Sequence, residues 1–164
     1  MGSKEKHPHI ERPSAEQLAD ILQNKTPMVL QLYLNTHLLI LETLPDVVYS
    51  VDCQDVQTGY GARQNGYNGW GMAALSAHNK WVSLVFMRGT DLEDKDGLLE
   101  GSGKKVRHVK LRSPEQFKER RSALSSLIKA ASKHEEKERN QRLPGGALLK
   151  SSRSPTRIKT IATI

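Results

Sequence analysis

The densest group of side chains able to do chemistry is a run of carboxylates, Asp91, Glu93, Asp94, Asp96 and Glu100, set around Gly97. Carboxylate oxygens suit hard cations, so these five residues are the candidate metal site. The spacing does not fit a calcium-binding EF-hand loop. With Gly97 at the invariant sixth position, Leu92 and Gly103 fall at the first and twelfth, where ligands are required. A solvated loop between two strands is the plain structural alternative.

A basic run follows at once: Lys104, Lys105, Arg107, His108, Lys110 and Arg112. Together with Arg88, the residues Lys104, Lys105, Arg107, His108 and Lys110 are candidates for holding an anionic partner. In a strand successive side chains face opposite ways. Arg107 then shares a face with Val109 and Leu111, from which it is expected to reach back to the acidic loop, while His108 and Lys110 project the other way. A local ion-pair network and a phosphate- or RNA-binding surface draw on the same residues. Nonspecific nucleic-acid binding of that kind weakens steeply with salt.

Other chemical signals are thinner. His7-Pro8-His9 has the look of a metal clip on a chain end. Cys53 is the one cysteine, so no internal disulfide forms; a lone thiol fits a reducing compartment. It reads as a small apolar residue rather than a nucleophile. Gly59-Tyr60-Gly61 starts like a dinucleotide fingerprint, but position 64 is Gln and no Gly-Lys-Ser/Thr follows. The stretch from Gly59 to Gly71 therefore reads as a strand connection, with a pocket lined by Tyr60, Tyr67 and Trp70 as the enzymatic alternative. No catalytic triad or zinc spacing emerges, and no catalytic residue is assigned.

The elements that position these residues are legible in part. The chain has 164 residues, a net charge of +7 and 37 % apolar residues. That length suits one domain, and the lean apolar share suits a normal core with polar ends. Residues 1–13 read as a disordered leader, 14–138 as an α+β domain and 139–164 as a basic disordered tail broken by Leu143-Pro144-Gly145-Gly146. Ser14 and Gln17 have capping-box spacing for a first helix, and Ser113 and Gln116 repeat it for the last. Thr26-Pro27 starts a second helix that Pro45 stops after Leu44. Leu30, Leu34, Leu38 and Leu41 share one face of that helix, the face expected to pack on a sheet. Val47 to Val51, Met72 to His78, Trp81 to Met87 and Val106 to Leu111 read as strands, with Asn79-Lys80 as a hairpin turn. Phe117, Leu124, Leu127 and Ile128 form the apolar face of the last helix. The apolar region from Met28 to Leu44 is broken by Gln31, Asn35, His37 and Glu42, so it is not a membrane span. The charged start lacks an apolar run, which points to a cytoplasmic protein.

Between Val82 and Leu111 the chain carries Phe86, Arg88-Gly89, an acidic turn, Gly97-Leu98-Leu99-Glu100-Gly101, Gly103-Lys104 and Arg107-His108 followed by Lys110. This pattern resembles the YdhG-like domain family of unknown function, over roughly residues 28 to 130. The resemblance implies a frataxin-like α+β fold, with helices packed on one face of a small antiparallel sheet. It also implies a non-enzymatic binding domain handling iron as an intracellular chaperone, with metal-cluster assembly proteins as partners. The alternative expectation is an anion- or nucleic-acid-binding module using the basic strand and the C-terminal tail.

Overall fold

The computed structural model describes residues 8–61 and 71–142. Their elements run β1 (His9–Glu11), α1 (Ala15–Ile21), α2 (Pro27–Thr43), β2 (Tyr49–Asp52), β3 (Gln57–Tyr60), β4 (Ala73–Ala77), β5 (Val82–Phe86), β6 (Arg107–Leu111) and α3 (Pro114–Arg142). The fold class is α+β, as expected.

Local sequence starts each helix. Ser14 Oγ accepts from the Gln17 amide at 3.1 Å, and Gln17 Oε1 accepts from the Ser14 amide at 2.9 Å, a complete capping box. Thr26 Oγ1 accepts from the Val29 amide, with Pro27 in the first turn. Ser113 caps α3 through the Gln116 amide, but the Gln116 side chain accepts from Arg112 rather than from Ser113. That box is displaced by one residue.

The rotation of α2 differs from expectation. Its buried residues are Val29, Leu32, Tyr33, Thr36, His37, Leu39 and Ile40. Leu38, on the expected face, is 56 % exposed. Leucines lie on both sides of this helix, so hydrophobicity alone does not fix its rotation. Polar pairing does. The Tyr33 hydroxyl meets Thr58 Oγ1 at 2.6 Å and donates to the Leu75 carbonyl at 3.1 Å. His37 Nδ1 and the Tyr60 hydroxyl are hydrogen-bonded at 2.7 Å. A buried polar atom without a partner costs roughly 1–3 kcal/mol, so the register that pairs both tyrosines prevails.

The strands form one six-stranded antiparallel sheet in chain order, β1-β2-β3-β4-β5-β6. Two strands differ from the reading of the sequence. Residues 8–13 are not leader: β1 pairs with β2, placing Ile10 opposite Val51. Gly59 and Tyr60 belong to β3, opposite Ala74 and Ala73, rather than to a glycine-rich connection. The last helix also reaches Arg142, past the expected start of the tail at 139.

Cross-strand pairing defines two faces. Val51, Thr58, Leu75, Leu84 and Val109 form a row on the first face, beside Tyr60, Ala73 and Phe86. These side chains are buried in one core with Leu18 and Leu22, the inner face of α2, and Phe117, Leu124, Leu127 and Ile128 of α3. All three described helices thus serve the first face. The second face presents two rows. One crosses His9, Asp52, Gln57, Ser76, Ser83 and Lys110, and the other Glu11, Ser50, Gly59, Ala74, Val85 and His108. Among the described residues, no helix is long and apolar enough to cross a membrane.

Candidate functional site

The sheet has two functional ends. The hairpin turns at 53–56 and 78–81 lie at one end, and the 87–106 segment lies at the other. The sequence candidates are divided between them.

The acidic segment is tied to its own backbone. Asp94 Oδ1 accepts from the Leu98 amide at 2.8 Å, and Oδ2 from the Leu99 amide at 2.9 Å. Glu100 exchanges two backbone hydrogen bonds with His108, 2.8 and 3.0 Å, and so adds a bridge outside β6. Its carboxylate lies 3.8 Å from His108 Nε2, not on Arg88 or Arg107. Arg107 does not reach the acidic residues either: its Nη1 donates to the carbonyls of Gly103 and Val106. Arg88 pairs with Asp91 at 3.1 Å, and His134 on α3 approaches the same Asp91 oxygen at 3.3 Å. Glu93 and Asp96 are exposed. Among the described residues no group of three or more His, Cys, Asp or Glu side chains is placed to hold a metal ion. The five loop carboxylates therefore do not fit an iron site as they stand.

The motif between Arg88 and Lys110 acts as a clasp. Gly89 lies under Arg107, where a Cβ would collide with the arginine's own Cβ and approach its backbone nitrogen to 2.9 Å. Thr90 donates through its amide to Lys105 O and through its hydroxyl to Lys104 O. Lys104 and Lys105 are thus bound through their backbones while their side chains face solvent.

The other candidates are placed as follows. Tyr60 is fully buried against His37; Tyr67 and Trp70 lie outside the described residues. His7 also lies outside them, and His9 Nε2 faces Asp52 Oδ2 at 3.7 Å. Asp52 Oδ1 accepts from the Gln54 and Asp55 amides, closing the β2–β3 turn. Cys53 is half-buried, and burial followed by the Asp52 charge pushes its thiol pKa up, away from nucleophile chemistry.

At the turn end, the second face gathers half-buried residues that are remote in sequence. His78 stacks on Trp81, with ring centroids 4.9 Å apart and planes at 22°. The Lys110 ammonium lies 5.1 Å from the centre of the same indole. Trp81 Nε1 donates to Ser83 Oγ, which places the ring on the second face. His108 stands one row behind Lys110 on that face. Burial, then the charges of Lys25, Lys110 and His108, lower the pKa of His78. Lys25 comes from the junction of α1 and α2 and the other two from β6, so two separate segments supply basic groups around one imidazole.

Of the six anion-site candidates, only His108 and Lys110 belong to this group. Arg88, Lys104, Lys105 and Arg107 belong to the opposite end. Sequence reasoning missed Lys25, His78 and Trp81. The available signal was the strand alternation that puts Trp81 and Ser83 on one face. No protein-family model, curated protein or solved structure matches the chain.

Proposed function

We propose that the chain is a non-enzymatic module that binds a polyanionic partner at the turn end of its sheet, beside β6. The observation that supports it most is the meeting of Lys110, His78 and Trp81 on a face without a described helical layer, with Lys25 and His108 close enough to act on the same imidazole. A cation held over an aromatic face is attracted by the ring's quadrupole. That attraction orders the ammonium without neutralising it, leaving a fixed positive charge for an anionic ligand. The net charge of +7 adds long-range attraction for the same class of partner.

On this reading the YdhG-like motif fastens the loop to β6, and the binding residues lie outside most of it. Iron handling, which the resemblance implies, lacks a gathered ligand set among the described residues.

The test is binding of labelled inorganic polyphosphate at several salt concentrations. Affinity should fall linearly on logarithmic axes, and Lys110→Gln should reduce the slope by about one ion. Absence of binding at low salt, or a slope that Lys110→Gln leaves unchanged, would reject the reading.

A further inference from the structure

The outward side of α2 carries an apolar strip that the described core does not absorb. Leu38 is 56 % exposed there, with Leu34 and Leu41 half-buried beside it. Their spacing, four residues and then three, is the seam that one helix offers to a neighbouring helix. Next to the strip lies an open groove of about 890 Å³ between α2 and the start of α3, floored by Leu39 and Phe117 and edged by Leu38, Glu42, Lys118 and Arg121. A protruding leucine and a groove that suits it thus stand side by side on one surface. A two-fold axis through such a surface sets the leucine of each copy into the groove of the other, which is the condition for an isologous contact.

Charge selects the occupant. The helix has 17 residues and holds none of the chain's 25 lysines and arginines. Its one carboxylate, Glu42, is already paired with Arg121 at 2.6 Å. Two chains of net charge +7 repel one another in most orientations, but along α2 they meet without opposing cations. The groove edge itself has mixed sign, with Glu42 on α2 and Lys118 and Arg121 on α3. A uniformly acidic or basic partner gains at one edge and loses at the other, whereas a second copy brings both signs in the same arrangement. We infer that the outward side of α2 is a dimer interface between two copies of this chain, in which Leu38 of each copy enters the groove between α2 and α3 of the other. The interface lies in the helical layer, across the sheet from Lys110 and His78, and does not depend on the polyanion reading.

The experiment is sedimentation equilibrium of the full chain, without polyanion, at concentrations rising to the millimolar range. The expected result is a reversible monomer–dimer equilibrium. Leu38→Glu and Leu38→Lys should each weaken the dimer by roughly tenfold or more, since each removes a leucine side chain from the contact. Leu38→Met should keep it. An equal effect from opposite charges marks the loss of an apolar contact rather than a change in net charge. Position 38 is exposed, so these variants should fold, and circular dichroism verifies that they do. A chain that stays monomeric throughout, or a dimer that neither charged variant weakens, overturns the inference. Association that occurs only after polyphosphate is added overturns it too, because the copies then share a ligand rather than an interface; that outcome leaves the polyanion reading intact.

Discussion

At the loop end of the sheet, Asp94 accepts two backbone amides and Asp91 faces both Arg88 and His134. At the turn end, Lys110 and His78 are set against an indole, and the charges that act on His78 are basic, His108 among them lying 3.8 Å from the Glu100 carboxylate. Charge therefore does different work in the two regions. The loop-end carboxylates satisfy amides and neighbouring cations, so they are committed to holding a long connection against β6. The turn-end cations are ordered by a ring that leaves their charge in place. Of the dense acidic run at 91–100, Asp91, Asp94 and Glu100 are engaged by the fold, while Glu93 and Asp96 stay exposed. A sparse set drawn from three segments is instead gathered, half-buried, around one imidazole.

This contrast gives stability effects at the loop end and in the layer above it, with the largest expected from His37. Its imidazole is buried between α2 and the end of the sheet that carries Tyr49 and Tyr60, edge-on to Tyr49 and bonded to Tyr60. Desolvation lowers its pKa from 6.5 to about 4. The folded state therefore resists protonation that the unfolded chain accepts. The stability tied to neutral His37 is fully present above pH 6.5 and is lost as pH falls toward 4. At 1.36 kcal/mol per unit, the loss reaches about 3 kcal/mol. Urea denaturation from pH 7 to 4 should show that decline, and His37→Gln should flatten it. An unchanged slope in the variant would assign the acid sensitivity elsewhere.

Gly89→Ala comes next. The new methyl would strike Arg107 where the loop crosses β6, and overpacking of this kind costs about 1–3 kcal/mol. The denaturation midpoint should fall, while polyphosphate affinity at the other end stays within twofold in the folded protein. Loss of polyanion binding in a well-folded Gly89→Ala variant would break the separation of the two ends.

How far the sequence reveals these regions depends on the range of the interactions. Ser14, Thr26 and Ser113 were legible as caps because a cap bonds within three residues of itself. The β4–β5 hairpin was legible because its turn and alternation are also local, and His78 N donates to Trp81 O across Asn79-Lys80. The rotation of α2 was not, because Leu38 and Leu39 are equally apolar and only Thr58 and Tyr60, on a distant strand, distinguish the faces. β3 was obscured by Gly59, a residue of poor strand propensity placed where Ala74 lies opposite. The acidic loop was correctly seen as the densest polar feature, yet its density did not say which carboxylates were already bonded. Lys110 was a candidate from its strand face, but Trp81 beneath it depends on the β5–β6 register. That register pairs Ser83 with Lys110 and cannot be read from either strand alone.

The smallest expected effect tests whether the acidic loop is structural residue by residue. Asp94 and Asp96 have the same chemistry and lie two positions apart, but only Asp94 closes the turn, through the Leu98 and Leu99 amides; Asp96 is exposed. Charged acceptors of backbone amides contribute about 1–2 kcal/mol, whereas an exposed carboxylate is worth less than about 0.5 kcal/mol. Asp94→Ala should therefore lower stability by about 1 kcal/mol in chemical denaturation, and Asp96→Ala should not change it measurably. A loop serving as a cation site would respond differently. Its carboxylates repel one another without the ion, so removing either would leave stability unchanged or raise it, and added ferrous iron under anaerobic conditions would stabilise the parent but neither variant. The sign of the Asp94→Ala effect without metal thus separates a fastening from a binding loop.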